Sequence, residues 1–202
     1  MDEGAKPREY KKLLPESYVD KLLKLSDDLY KHSVVERPDG TREQDERRTS
    51  TSLSLSKLKR PSFYQNLIRT LKKTLNLTGS LDPEVIIDME ILRYTPKQGF
   101  KLHHDAGVLS GSKDEGFAVE ADVHRVATAI VCLTNGSGGG TYFPHMGEKY
   151  QGDSGDGIVF CNFRNCKDKR VVEADPRMRH EGRPDTGTVR KVLGVAFITK
   201  PA

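Results

Sequence analysis

The chain begins with helical spacing of its apolar residues and ends with strand spacing. Over 14–30, Leu14, Tyr18, Val19, Leu22, Leu23, Leu25 and Leu29 recur at steps of three and four, which predicts a helix. Pro15 and Glu16 stand where a first helical turn accepts them. A polar stretch follows over 37–48, with turn chemistry at Pro38, Asp39 and Gly40. The spacing predicts a second helix over 62–75, with Ser62 as its N-cap and Phe63, Leu67, Ile68, Leu71 and Leu75 as one stripe. After Gly79 the pattern changes to β-rich, partly alternating runs at 85–94, 125–133, 141–143, 157–163 and 190–199. Glycine-rich or charged loops separate them at 107–120, 135–140 and 148–156. Helices followed by short strands with long connections predict an α+β, mainly β chain. The expected form is an antiparallel double-layered roll with the N-terminal helices packed on one sheet.

Length and composition narrow this further. The 202 residues fit a single domain, with 1–80 as mainly helical support and 81–202 as the β core. Lys and Arg number 33 against 29 Asp and Glu, so the net charge is only +4 and its signs are mixed. That balance gives no mark of a nucleic-acid binder. The longest apolar stretch, 126–133, is far too short to cross a bilayer, so no membrane partner is expected. Three cysteines, Cys132, Cys161 and Cys166, are too few and odd in number for a disulfide scaffold, and reduced, partly buried thiols are expected. The first twenty residues carry no apolar leader core. The expectation is a cytoplasmic chain, or one of the endoplasmic reticulum if a leader has been removed.

The candidate chemistry lies in the histidines. Of the six, His103 stands two residues from Asp105, so in a strand both project from one face. A non-haem Fe(II) oxygenase needs two His and one carboxylate on one face of the metal, leaving the other face open. A second histidine normally arrives from a distant strand, and His180 lies 75 residues beyond Asp105. Ten residues later Arg190 opens a strand-like run, and a guanidinium there can grip a carboxylate in bidentate fashion.

With these residues in place the sequence resembles the 2-oxoglutarate- and Fe(II)-dependent dioxygenases of the prolyl 4-hydroxylase type, from about Arg48 to Ile198. Arg48-Thr49-Ser50 matches an early Arg-x-Ser segment, and the run from Tyr94 through Gly99 to His103-His104-Asp105 matches the Tyr…Gly…His-x-Asp strand pair. Arg125-Val126-Ala127-Thr128 matches Arg-x-x-Thr, and Gly138-Gly139-Gly140-Thr141-Tyr142-Phe143-Pro144 is similar to Gly-Gly-x-Thr-x-Phe-Pro. Gly157-Ile158-Val159-Phe160 fits the strand before the second histidine. His180-Glu181-Gly182-Arg183-Pro184, then Arg190, completes the order.

The resemblance implies a double-stranded β-helix core of the jelly-roll or cupin type. It implies His103, Asp105 and His180 as iron ligands, Arg190 on the distal carboxylate of 2-oxoglutarate, and Tyr94 lining the co-substrate pocket. Lys191 is the rival to Arg190, since collagen-type members use lysine for this task. Strand alternation favours Arg190, which shares a face with the small residues Val192, Gly194 and Ala196, whereas Lys191 shares one with Leu193, Val195 and Phe197, a face that reads as core. His104 is expected to point away in a structural role. Cys132 falls where the family often has a tyrosine, so the second co-substrate contact is unassigned. His124 and His145 flank the motifs, and Arg125 and Asn162 fit scaffold or substrate roles equally.

The implied reaction is hydroxylation of a peptidyl proline with O2, coupled to decarboxylation of 2-oxoglutarate to succinate, with ascorbate as reductant. The implied partner is a proline-containing peptide or protein, with the stretches 37–48 and 107–121 as candidates to close over it. A lysyl hydroxylase of the same superfamily and a non-catalytic peptide-binding jelly roll are the alternatives. Nucleic-acid demethylases of the superfamily carry a further arginine six residues after the co-substrate arginine, where this chain has Ala196.

Overall fold

The structure is a computed structural model that describes residues 6–25, 27–36, 42–44, 46–77, 86–106, 123–135, 139–163, 174–184 and 191–201. In chain order the elements are β1 (Arg8–Tyr10), α1 (Glu16–Leu23), β2 (Lys31–His32), β3 (Val35–Glu36), β4 (Arg42–Glu43), β5 (Thr51–Ser54), α2 (Pro61–Leu77), β6 (Ile86–Tyr94), β7 (Phe100–His103), β8 (Val123–Cys132), β9 (Gly140–Phe143), β10 (Glu148–Tyr150), β11 (Gly157–Cys161), β12 (His180–Arg183) and β13 (Lys191–Pro201). The major sheet runs β1-β11-β8-β13-β6-β5-β2 and the minor sheet β10-β9-β12-β7, with all pairings antiparallel.

The period of two along the long strands divides the apolar residues between two cores. On β6, Ile87, Met89 and Ile91 face the helices, packing with Leu67, Leu71 and Leu75 of α2. These α2 leucines recur every four residues, the spacing that makes one buried stripe. The alternate positions Leu92 and Tyr94 join Phe143, Phe160, Met178 and Leu193 between the two sheets. The inter-sheet layer is the one that opens into a cavity lined by polar groups.

Two expectations about the N-terminal third are corrected. The first helix covers only 16–23, and a 3₁₀ turn at Asp27–Leu29 replaces its predicted last turns. The segment also supplies strands that the spacing does not predict: β1 extends one edge of the major sheet against β11, and β5 and β2 extend the other beyond β6. Strands of two to four residues are too short to show a period, whereas the leucines on either side do. In the second helix Pro61 is the first helical residue, a position its missing N–H suits, so Ser62 lies inside the helix and not at its cap. Cys161 is disulfide-bonded, so the expectation of reduced thiols fails there.

Candidate active site

Two adjacent strands of the minor sheet bring the candidate ligands together. His103 ends β7 and His180 begins β12, and the antiparallel register sets them directly opposite one another. Asp105 follows in the turn after β7. Asp105 Oδ1 lies 3.5 Å from His103 Nε2, and Oδ2 lies 3.6 Å from His180 Nε2. One donor atom from each of the three falls within 4.8 Å of the others, and all three residues are buried. His103 Nδ1 donates to the Lys101 carbonyl at 2.8 Å, and His180 Nδ1 to the Met178 carbonyl at 2.9 Å. A carbonyl can only accept, so Nδ1 of each ring carries a proton and Nε2 is the atom turned toward Asp105. Such outer hydrogen bonds are what fix the tautomer and orientation of a metal-ligating histidine.

Aromatic rings hold the imidazoles in place. Phe100 stacks on His103 at 3.5 Å between centroids, while Phe160 meets His180 edge-on at 5.0 Å. Burial lowers the His180 pKa to about 4, with His103 adding to the effect, so the ring stays neutral and able to ligate. Burial alone would raise Asp105, but the His180 and His103 rings and a hydrogen bond from Thr128 outweigh it. The carboxyl is therefore held well below the usual carboxylate range. Two imidazole nitrogens and one carboxylate form the donor set suited to a divalent first-row metal.

The triad sits in the wall of the cavity between the sheets. In its lining Arg48 Nη2 pairs with Glu90 Oε2 at 3.3 Å and the Arg48 guanidinium lies 5.3 Å from the Phe100 ring centroid. Arg125 covers Phe197 at 4.2 Å beside them. Tyr94 lines the same cavity, and burial raises its phenol pKa, so the hydroxyl remains a donor. A neighbouring cavity, lined in part by Cys132 and Tyr150, shares the wall formed by Ile130, Thr141 and Leu193.

Arg190 lies outside the described residues, as does the side chain of Lys191. The cavity lies on the face of β13 opposite to the one expected from alternation. Leu193, Val195 and Phe197 line the cavity, while Val192 and Ala196 belong to the core against the helices. Position 191 shares the parity of the cavity-lining residues and pairs in register with Tyr94. His104 is buried in hydrogen bonds away from the triad, as expected. His145 is exposed and lines no part of the cavity, and the side chain of His124 and the loop 107–121 lie outside the described residues. Asn162 is scaffold: its amide donates to the Arg125 carbonyl and to Thr128 Oγ1. The sequence reading gave no site role to Glu90 or Phe100. Glu90 had a signal, being a carboxylate on the same strand face as Leu92 and Tyr94.

No family model matches the chain. A protein of Acanthamoeba polyphaga mimivirus, provisionally named a prolyl 4-hydroxylase, is 31% identical over 111 residues, 54% of this chain and 44% of that relative. Prolyl 4-hydroxylase 1 of Arabidopsis thaliana is 29% identical over 117 residues, 57% of this chain and 38% of that relative. The chain thus spans less than half the length of the curated relatives it matches. Among solved structures, a viral collagen prolyl hydroxylase from Paramecium bursaria chlorella virus 1, in complex with 2-oxoglutarate, aligns with a TM-score of 0.70 at 18% identity over 96% of this chain and 95% of that one. A prolyl 4-hydroxylase of Pseudomonas putida aligns at 0.59, with 14% identity over 96% and 92% of the two chains. A Trichoplax adhaerens prolyl hydroxylase, solved with a peptide fragment of a hypoxia-inducible factor, aligns at 0.57, with 13% identity over 95% and 82%. At these identities the structural likeness establishes the fold, the double-stranded β-helix of the 2-oxoglutarate and Fe(II) oxygenases. The resemblance read from the motifs therefore holds: the chain is similar in sequence to prolyl 4-hydroxylases and shares the fold of prolyl hydroxylases.

Proposed function

We propose that the chain is a 2-oxoglutarate- and Fe(II)-dependent dioxygenase that hydroxylates a peptidyl proline, coupling this to decarboxylation of 2-oxoglutarate to succinate. The observation that carries the reading is the convergence of His103 Nε2, Asp105 and His180 Nε2 at a cavity wall, with both Nδ1 atoms tied to backbone carbonyls. Those three residues would hold the metal, which when bound supplies the activation of O2 and the oxidative decarboxylation, with ascorbate as reductant.

The remaining roles follow from position. A cation at the start of β13 binds the distal carboxylate of 2-oxoglutarate, and strand parity favours Lys191 over Arg190. Tyr94 lines that chamber and offers a neutral hydroxyl to the co-substrate. Arg48, Glu90, Arg125 and Phe197 line the part of the cavity against which a peptide would lie. Its charged pair suits the backbone carbonyls and amides of an extended chain, and its rings suit a pyrrolidine.

The test incubates the protein with Fe(II), ascorbate, labelled 2-oxoglutarate and either a proline-rich or a lysine-containing peptide. The expected result is labelled carbon dioxide together with a mass gain of one oxygen on the proline peptide. Oxygen gained only on the lysine peptide would make the chain a lysyl hydroxylase. Peptide binding with no decarboxylation, and with no metal bound, would make it a non-catalytic module.

A further inference from the structure

We propose that His104, the residue between the two ligands of the His-x-Asp segment, is a positioning residue that sets the geometry of the metal donors; the inference rests on the metal-site reading above. Strand β7 ends at His103, whose register partner is His180, so Asp105 lies in a turn with no ladder to hold it. The His104 ring supplies that hold. Its Nδ1 accepts from the Ala106 amide at 3.0 Å, and its Nε2 donates to the Asp175 carbonyl at 2.9 Å. An amide only donates and a carbonyl only accepts, so both nitrogens of a neutral ring are committed.

The far end of this clamp reaches the third ligand. The Asp175 carboxylate accepts from the Arg177 amide at 3.1 Å and caps the 3₁₀ turn Pro176–Met178. The same Asp175 carbonyl that accepts from His104 accepts from the Met178 amide at 2.9 Å. The carbonyl of Met178 then fixes Nδ1 of His180. One buried ring thereby ties the turn carrying Asp105 to the turn that aims His180. Its removal would leave the Ala106 amide without a partner in a residue that is 1% exposed. Partners of this kind around metal ligands typically change metal affinity by about 10- to 100-fold when mutated.

The experiment titrates Co(II) into the intact chain, followed by calorimetry and visible absorption, with melting in chelator as a record of folding. Three variants separate the parts of the clamp. His104→Leu removes both hydrogen bonds. His104→Asn keeps the short bond to the amide two residues on, as an Asx turn does, but is too short to reach Asp175. His104→Gln has the length and the donor and acceptor to span both. The expected result is Co(II) binding about 10- to 100-fold weaker, with altered absorption bands, in the Leu and Asn variants, and most of the affinity recovered by Gln. Where the Leu variant fails to fold, the Asn variant carries the test because its local turn is intact. Wild-type affinity and bands in His104→Asn would overturn the positioning role alone. Co(II) binding that survives both His103→Ala and His180→Ala would instead overturn the metal site on which it rests.

Discussion

The two faces of β13 are built of similar residues and do different work. On one face Val192, Ala196 and Ile198 are sealed against the helices. Here small size records close approach, since a Cβ placed at Gly194 would sit 2.2 Å from Met89 Cε. On the other face Leu193, Val195 and Phe197 are larger, yet they border the cavity between the sheets. The difference comes from what stands opposite. The helix layer fills its side with Leu67, Leu71 and Leu75, whereas the four-stranded minor sheet leaves room beside His103 and His180. Side-chain size along a strand therefore does not tell a packed face from a site wall; the completeness of the facing layer does.

The sharpest way to separate the faces is to remove a donor from one and a packing residue from the other. His103→Ala should reduce turnover by about 1,000-fold or more, equivalent to roughly 4 kcal/mol on the barrier, while melting in chelator moves little. A large fall in chelator melting would mean that the cavity wall carries stability after all. Leu71→Ala should do the reverse. It truncates a fully buried leucine of the helix-side core and should cost about 2–5 kcal/mol of stability, with turnover per folded molecule near wild type. Denaturant unfolding set beside an active-site titration would check both halves.

The faces should also differ in their response to pH. Among the described residues the helix-side cluster contains no group that titrates between pH 4 and 7, whereas His180 is buried with its pKa lowered to about 4 against an ordinary 6.5. Between these values the unfolded chain binds a proton that the folded, metal-free chain does not, so stability should fall as pH drops from about 6.5 to 4. The full window is worth up to roughly 3 kcal/mol, at about 1.4 kcal/mol per pH unit. Asp105, held low, contributes in the same sense but in a lower window: its stabilising effect is present above its ordinary 3.8 and is lost only below that. Chelator-treated wild type and His180→Gln unfolded across pH 4–7 would show the difference, and equal slopes in the two proteins would sink it.

What was legible in the sequence divides along the same line. The grouping of His103, Asp105 and His180 was readable from the order of the motifs, a His-x-Asp segment followed by a distant histidine and a basic strand start, although Asp105 lies in the turn after β7 and not in the strand. The long strands were readable because nine or more residues suffice to show a period, and β6 and β13 fall within two residues of their predicted bounds. The edge strands β1, β2 and β5 were not, since two to four residues bonded to partners up to 151 positions away leave no local signal. Nor was the His104 clamp, which joins residues 71 apart through a ring and a backbone carbonyl. A histidine at that position has the same appearance in sequence whether it reaches a carbonyl or water.

The choice between Arg190 and Lys191 turns on the comparison of faces most directly. The sequence argument took the small-residue face as the one with room, and the cavity lies on the other. If the cavity face provides the anchor, Lys191→Ala should raise the KM for 2-oxoglutarate by about 10- to 100-fold, the effect of losing a charged hydrogen bond of roughly 1.5–3 kcal/mol. Arg190→Ala should change it by no more than a few-fold. Lys191→Arg gives a second reading, because a longer fork in a chamber bounded by Tyr94 and Leu193 would preserve charge while crowding the co-substrate. An intermediate rise in KM with kcat nearly unchanged would mark Lys191 as a binding group. A large effect at Arg190 with none at Lys191 would mean that the strand start departs from the alternation its interior follows. That outcome would require a bulge at 190–191 and return the anchor to the residue chosen from the motif alone.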